Sequence, residues 1–131
     1  MSPARRDEEK ANVHEISKRF TVEAAHHLPR VPDGHPCRRL HGHSYVIELG
    51  LRGELDESGW VRDFAEIGAA FEPVRLRLDH RLLNDVDGLA NPTSEVLAQW
   101  VFEAVVPALP ELAWVRIEET RSSGCVYRRD G

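Results

Sequence analysis

The sequence has few cysteines, no surplus of basic residues and no long apolar run. Two cysteines in 131 residues cannot form a disulfide framework, so both thiols are expected to be free in a reducing compartment. Asp and Glu number 22 against 17 Lys and Arg, a balance that argues against a general nucleic-acid binder. The absence of a long apolar run argues against a membrane span, and residues 1–10 are too polar for a secretory signal. We therefore expect a cytoplasmic protein that binds neither nucleic acid nor a membrane.

What the chain does contain is a concentration of histidine. Five of its seven histidines lie between residues 26 and 43. The length and a hydrophobic content of 41% suit one compact domain with its own core. We predict a single domain over residues 12–131, preceded by a disordered tail at residues 1–11. The histidine cluster is the feature that a function has to explain.

Two pairs of strands are predicted, one near each end of the domain. Apolar and polar residues alternate over residues 13–26 and again over residues 41–52, which is typical of strands with one buried face. Shorter strands are expected at about 113–120 and 124–129, joined by a turn. Strands in hairpins with helices grouped between them predict an α+β domain of order β-β-α-α-β-β. Its sheet would be antiparallel and four-stranded, with two helices on one face.

The two helices are predicted between these pairs of strands. Asp63 can cap the first helix, and Pro73 is expected to kink or interrupt it. The second helix is expected to begin near Thr93 and to stop at Pro107. Apolar residues recur at helical spacing along the first helix, at Phe64, Ile67, Phe71, Val74 and Leu78.

Three of the histidines are predicted to converge. His41 and His43 are two residues apart on a strand, so both side chains leave its apolar face. His26 ends the preceding strand, also on the apolar face. Taken singly, each could be an ordinary hydrogen-bonded histidine, but three on matching faces favour a metal site. Three neutral imidazoles suit Zn²⁺ and leave a fourth position open, as in catalytic zinc sites.

The remaining histidines and cysteines of this region are weaker candidates. His27 points away from His26, and His35 lies in a proline-rich loop, so neither is predicted as a ligand. Cys37 precedes His41 by four residues, and its thiolate could act as a base or nucleophile, or as a fourth metal ligand, or be inert. Cys125 lies on a predicted strand and is expected to be a small packed residue.

Five short motifs follow one another along the chain. They are Phe20-Thr-Val-Glu-Ala-Ala-His26, Cys37-x-x-x-His41-Gly-His43, Leu78-Asp79-His80, Asn91-Pro-Thr-Ser-Glu95 and Glu119-Thr120. In this order they resemble the 6-pyruvoyltetrahydropterin synthase family, and the resemblance covers residues 15 to 129. The spacing between Cys37 and His41 resembles the 6-carboxytetrahydropterin synthase branch, which belongs to queuosine biosynthesis.

The resemblance implies a role for each matching residue. His26, His41 and His43 would bind zinc, in agreement with the strand faces. Cys37 would abstract a proton, and His80, oriented by Asp79, would handle the second proton. Without the family, Asp79-His80 would be interpreted as a polar helix end.

Glu119 and the segment before the second helix would hold the substrate. Glu119 shares the inward face of its strand with Val115 and Ile117, and a buried carboxylate needs a partner. The family implies that this partner is the amino-pyrimidine edge of a pterin and adds Glu119 to the charge relay; an arginine salt bridge is the alternative. Thr93, Ser94 and Glu95 would contact the pterin, or cap the helix, or both.

The resemblance further implies a substrate, a reaction and an assembly. The substrate would be 7,8-dihydroneopterin triphosphate, converted by a zinc-dependent lyase to 6-carboxy-5,6,7,8-tetrahydropterin with release of acetaldehyde and triphosphate. The fold would be the tunnelling fold, in which two trimers stack into a homohexamer with active sites between subunits. Two alternatives remain open: formation of the 6-pyruvoyl product, and a zinc-stabilised binding module without catalysis.

Overall fold

The computed structural model describes residues 12–129, which form a five-stranded sheet and two helices. The predicted tail at residues 1–11 lies outside the described residues, as do residues 130 and 131. The strands are β1 (His14–His26), β2 (His41–Gly53), β3 (Arg81–Leu82), β4 (Leu112–Thr120) and β5 (Ser123–Arg128). The helices are α1 (Phe64–Leu78) and α2 (Ser94–Val105), and single 3₁₀ turns lie at Pro36–Arg38 and Leu83–Asp85.

The sheet has the order β3-β1-β2-β4-β5, so it contains five strands where the sequence predicts four. All neighbours are antiparallel except β3, which pairs in parallel with Ala24 and Ala25 of β1. Two residues are too few to show an alternating pattern, which is why β3 escapes prediction. The four longer strands and the helices follow the predicted order.

One face of the sheet packs against both helices and forms the core. The inward residues of β2 from Tyr45 to Leu51 are at most 1% exposed, as the alternation predicts. Phe64 departs from the predicted apolar face of α1, because it is the first residue of the helix and stays 50% exposed. The buried positions of α1 are Ile67, Phe71, Val74 and Leu78, and those of α2 are Leu97, Ala98, Val101, Phe102 and Val105.

The helix ends follow the predicted caps. The Asp63 carboxylate accepts a hydrogen bond from the Ala65 N–H, and Thr93 does the same for the Val96 N–H. Helix α1 continues through Pro73, so the predicted interruption does not occur. Both Pro73 and Ala69, whose carbonyl loses its helical partner there, are exposed, so water can satisfy that carbonyl. Within residues 12–129 no helix combines the length and the apolar character needed to cross a membrane.

Candidate metal centre

Three histidine side chains meet at one end of the β1–β2 pair. His26 and His41 face each other in the antiparallel register, and His43 lies opposite Ala24, one inward position further along. The Nε2 atoms of His26 and His41 are 2.9 Å apart, and the centres of the His26 and His43 rings are 5.0 Å apart. His26 is buried, with 1% of its surface exposed, whereas His41 and His43 are half-buried. The convergence expected from the strand faces is therefore present.

A carboxylate from β4 completes the group. Glu119 Oε1 lies 3.1 Å from His26 Nε2 and 3.0 Å from His43 Nε2. The β4–β5 pairing shifts register between Glu118 and Thr120, so Glu119 sits at a bulge-like irregularity, a device that redirects side chains near functional sites. One donor atom from each of the three histidines and Glu119 lies within 4.8 Å of the others, close enough to hold one metal ion.

Backbone carbonyls set the tautomers of two of these histidines. The Nδ1–H of His26 donates to the Pro92 carbonyl at 2.9 Å, and the Nδ1–H of His41 donates to the Arg39 carbonyl at 2.6 Å. A carbonyl oxygen can only accept, so Nδ1 of each ring carries a hydrogen, and in the neutral form of the ring Nε2 carries the lone pair. Histidines that bind metals are commonly held in this way, with the nitrogen that does not bind the metal donating to a backbone carbonyl.

The unpaired nitrogens fit a cation. Two lone pairs 2.9 Å apart repel each other unless a positive centre lies between them. His43 Nε2 is buried with no hydrogen-bond partner, since its approach to Glu119 lacks hydrogen-bond geometry. Burial lowers the pKa of His26, which disfavours the protonated ring and keeps the neutral form that a metal binds. Three imidazoles and one carboxylate are a donor set typical of Zn²⁺.

Cys37 is not part of this donor group. It lies half-buried in the 3₁₀ turn, where its N–H donates to His35 Nδ1 and its carbonyl accepts from the Leu28 N–H. Of the two possible fourth donors, the structure places Glu119 beside the histidines and leaves Cys37 outside the group. The proposed roles of Cys37 as base or nucleophile remain predictions.

Cys125 behaves as a small packed residue, as predicted. It packs against the core, and both cysteines are free thiols. Burial raises the pKa of the Cys125 thiol, and the negative charge of Glu95 raises it further. The thiol therefore stays protonated and poorly nucleophilic.

Asp79 and His80 form an adjacent pair at the end of α1. Asp79 Oδ2 lies 3.1 Å from His80 Nδ1, and Oδ1 accepts a hydrogen bond of 2.9 Å from the Glu23 N–H. His80 has a φ of 57°, a left-handed conformation that is uncommon outside glycine, and its N–H donates to the Glu23 carbonyl. The orienting role of Asp79 remains a prediction.

His80 is not one of the donors around His26. Its side chain is 78% exposed and borders an open groove of about 490 Å³ at the β3 edge of the sheet. The groove is also lined by the outward-facing residues Glu23, Ala25, Gly42 and Ser44, together with His43.

The Thr93-Ser94-Glu95 segment lies directly beside the donor group. Thr93 caps α2, and the Ser94 hydroxyl donates to Glu119 Oε2 at 3.4 Å. Glu95 is exposed in the first turn of α2. The preceding Pro92 supplies the carbonyl that orients His26, so this short segment contacts two of the four donor residues.

Comparison with known proteins places this site in a family. The profile of the family described as 6-pyruvoyl tetrahydropterin synthase matches residues 15–130, which is nearly the whole chain. The chain belongs to this family. The resemblance read from the five motifs is therefore confirmed, and the site described above is that of a 6-pyruvoyl tetrahydropterin synthase family member.

Individual members of the family are similar over most of their length. The 6-carboxy-5,6,7,8-tetrahydropterin synthase of Synechocystis sp. is 44% identical over 119 residues, covering 86% of this chain and 91% of that protein. The enzyme of the same name from Bacillus subtilis is 35% identical over 127 residues, covering 87% of this chain and 84% of the relative. The structure of 6-pyruvoyl tetrahydropterin synthase from Caenorhabditis elegans superimposes with a TM-score of 0.82 at 28% identity, covering 90% of this chain and 96% of that one. The predicted tunnelling fold is confirmed at the level of the single chain.

The sequence prediction missed three features of this site. Glu119 is predicted as a pterin anchor, not as a neighbour of the metal ligands. Tyr45, whose Oη lies 3.0 Å from His26 Nδ1, is absent from the prediction. A signal for Tyr45 exists, because it follows His41 and His43 on the same alternating face. No comparable signal exists for the Pro92 carbonyl, because a backbone group carries no residue-type information.

Proposed function

We propose that this protein is a zinc-dependent lyase that converts 7,8-dihydroneopterin triphosphate to 6-carboxy-5,6,7,8-tetrahydropterin. The main support for this proposal is the donor group of three histidines and Glu119. Relatives of this chain from Synechocystis and Bacillus subtilis are 6-carboxy-5,6,7,8-tetrahydropterin synthases. The atoms balance when one water is taken up and acetaldehyde and triphosphate are released. This reaction needs no redox cofactor, and the product would serve queuosine biosynthesis in the cytoplasm.

His26, His41 and His43 would hold the ion. Bound there, Zn²⁺ would act as a Lewis acid toward the hydroxyls of the substrate side chain and make the neighbouring protons easier to remove. By accepting from Nδ1, the carbonyls of Pro92 and Arg39 would leave Nε2 of His26 and of His41 free to bind the ion. Burial of His26 excludes water from one side of the site.

The proton-handling residues are proposed by their positions in the family motifs. Cys37 would abstract a proton from the substrate side chain as a thiolate. His80 would exchange the second proton, with the Asp79 carboxylate 3.1 Å away selecting its tautomer. Glu119 would accept the parallel N–H groups of the pterin and contribute to the charge relay. Thr93, Ser94 and Glu95 would line the same end of the pterin pocket, because Ser94 already contacts Glu119.

The exposure of His80 supports an oligomeric site. A general acid or base works poorly in open water, yet the His80 side chain is 78% exposed in the single chain. We propose that a neighbouring subunit of a homohexamer, a dimer of trimers, covers it. Subunit assembly through the sheets would also cover the free edges of β5 and of most of β1.

Product analysis tests the proposed reaction. Zinc-loaded protein with dihydroneopterin triphosphate is expected to release acetaldehyde in an amount equal to the 6-carboxytetrahydropterin formed. Cys37→Ala is expected to abolish turnover, and Cys125→Ala is the matched control, because Cys125 is a packed thiol outside the donor group.

Other outcomes identify the alternatives. Triphosphate release without acetaldehyde would identify 6-pyruvoyl tetrahydropterin synthase activity, the activity named for the Caenorhabditis elegans structure. Unchanged substrate in the presence of bound zinc would favour a non-catalytic zinc-stabilised module.

A further inference from the structure

We propose that Glu119 is a displaceable fourth ligand of the metal. Its carboxylate would close the site formed by His26, His41 and His43 in the substrate-free protein and would move to the pterin when substrate enters. This inference rests on the proposed function, since it requires both a bound metal and a pterin substrate. It assigns the metal and then the pterin to one side chain, where the family resemblance assigns the pterin and the charge relay but not the metal.

The contacts of Glu119 Oε1 call for a cation. This oxygen lies 3.1 Å from His26 Nε2, which carries a lone pair because Nδ1 holds the ring hydrogen. It also lies 3.0 Å from His43 Nε2, a buried nitrogen without a hydrogen-bond partner. A carboxylate oxygen facing a nitrogen lone pair is repulsive in the absence of a positive centre. A Glu119 carboxylate oxygen lies within 4.8 Å of one donor nitrogen of each histidine, so it is placed to bind the ion that they would bind.

The second oxygen of the Glu119 carboxylate, Oε2, is weakly held. Glu119 Oε2 accepts one long hydrogen bond, of 3.4 Å, from Ser94. Among the ion pairs of residues 12–129, Glu119 contacts the two histidines and no arginine or lysine. The side chain is 27% exposed and follows the register shift between Glu118 and Thr120. A carboxylate with these contacts can rotate without breaking a strong interaction inside the protein.

Pterin binding would compete for both oxygens. A bidentate hydrogen-bonded pair between a carboxylate and two parallel N–H donors uses both oxygens in one plane. Glu119 cannot offer both to the pterin and keep Oε1 on the metal in the same geometry. Closed four-ligand sites are typical of structural zinc, and catalytic sites keep one open position. Movement of Glu119 would therefore open the metal to the substrate hydroxyls only when a pterin is bound.

Cobalt substitution tests the ligand role without turnover. The metal-free protein is loaded with Co²⁺, and the visible absorption of the wild type, Glu119→Gln and Glu118→Gln is compared without substrate. Glu118→Gln is the matched control, because Glu118 is the preceding residue and pairs with Arg116 at 3.0 Å. Glu119→Gln is expected to alter the Co²⁺ bands and to weaken Zn²⁺ binding, measured against a chromophoric chelator, at least about tenfold. The control is expected to match the wild type.

A pterin without a side chain tests the displacement. Unsubstituted pterin has the amino-pyrimidine edge but no hydroxyls for the metal. Its addition to the wild-type Co²⁺ protein is expected to shift the spectrum toward that of Glu119→Gln. Glu119→Asp, which keeps the charge but shortens the reach, is expected to bind Zn²⁺ with intermediate affinity and guards against a folding defect in Glu119→Gln.

Three results would overturn the proposal in distinguishable ways. Equal Zn²⁺ affinity and equal spectra for wild type and Glu119→Gln would remove Glu119 from the ligand set. Pterin binding, measured by dialysis, without a spectral change would refute the displacement while leaving the proposed substrate intact. No pterin binding at all would refute the displacement together with the proposed function, and the Zn²⁺ affinities would still decide whether Glu119 is a ligand.

Discussion

His26 combines burial with a fixed tautomer, the two properties that a metal-binding imidazole needs. Its Nδ1–H is held by the Pro92 carbonyl, and Tyr45 Oη lies 3.0 Å from the same nitrogen. Burial raises the pKa of Tyr45, and the charge of Glu119 raises it further, so the phenol stays neutral. With Nδ1 held in this way, the other ring nitrogen of His26, Nε2, faces the group formed by His41, His43 and Glu119.

Removal of one ligand should empty the site. We expect His43→Ala to lower Zn²⁺ affinity by more than about 100-fold, because loss of a ligand costs more than loss of a residue that only orients one. The measurement is the zinc content of purified protein after dialysis. His27→Ala is the control, since the interactions of His27 with Asn84 are made by its backbone. Undiminished zinc in His43→Ala would refute the three-histidine site.

Asp79 should make the free energy of unfolding depend on pH in the acidic range. A hydrogen bond from the Glu23 N–H is the main cause that lowers the pKa of Asp79, with His80 and Arg75 adding to it. Because the folded pKa lies below the unfolded value, the charged form stabilises the fold above about pH 4, and this contribution disappears as the pH falls through the folded pKa. In Asp79→Asn the contribution is absent at every pH.

Denaturant unfolding at several pH values checks this expectation. The wild type is expected to be more stable than Asp79→Asn at neutral pH, and the difference should shrink below about pH 4. Subtracting the two curves removes the contributions of titratable groups that do not contact Asp79, which both proteins share. A difference that stays constant between pH 3 and pH 7 would contradict the assignment.

At the scale of secondary-structure elements, the alternating strands could be predicted from the sequence, whereas local irregularities of the strands and helices could not. The strands β1 and β2 carry long alternating patterns, so their faces and their ends at His26 and His41 follow from the sequence. The short β3, the passage of α1 through Pro73 and the exposure of Phe64 depend on packing and solvent at single positions. The register shift before Thr120 is equally silent in the sequence, yet it sets the position of Glu119.

The β2–β4 pair depends on a glycine. A Cβ atom at Gly50 would lie 1.9 Å from Cε2 of Trp114, whose indole N–H donates to Glu15 at 3.1 Å. We expect Gly50→Ala to destabilise the protein by about 1–3 kcal/mol, because the indole must leave its place. Gly53→Ala is the control, since the nearest atom to a Cβ there is Val61 Cγ1 at 3.4 Å.

Urea unfolding of both variants measures the difference. Gly50→Ala should have the lower midpoint and Gly53→Ala a midpoint close to that of the wild type. Equal midpoints for the two variants would show that the indole moves aside at little cost.

At the scale of the whole molecule, one chain brings together the four donors of a candidate metal site, whereas the proposed proton-transfer groups Cys37 and His80 lie outside that group. The His80 side chain faces solvent. The family resemblance implies active sites between subunits, and the exposure of His80, the proposed proton-transfer residue, agrees with that arrangement. A single chain therefore explains metal binding better than it explains proton transfer.

Mixed oligomers should reveal a shared site. Cys37→Ala and His80→Ala are each expected to be inactive alone. If different chains supply the two residues, oligomers from equal co-expression should recover about one quarter of wild-type activity, because each site draws its two residues independently. The assay is acetaldehyde release per chain. Complete inactivity of the mixed oligomers would place both residues of a site on one chain.

The sequence by itself determined the strand faces, and with them the meeting of His26, His41 and His43. A period of two fixes which side chains share a face, and that rule needs no knowledge of distant contacts. The tertiary structure alone decided the fourth donor and the tautomers. Glu119 reaches the histidines because β4 pairs with β2 and its register shifts, and the Pro92 carbonyl reaches His26 because the entry to α2 packs against β1. Both depend on contacts between residues far apart in the chain, which no local pattern encodes.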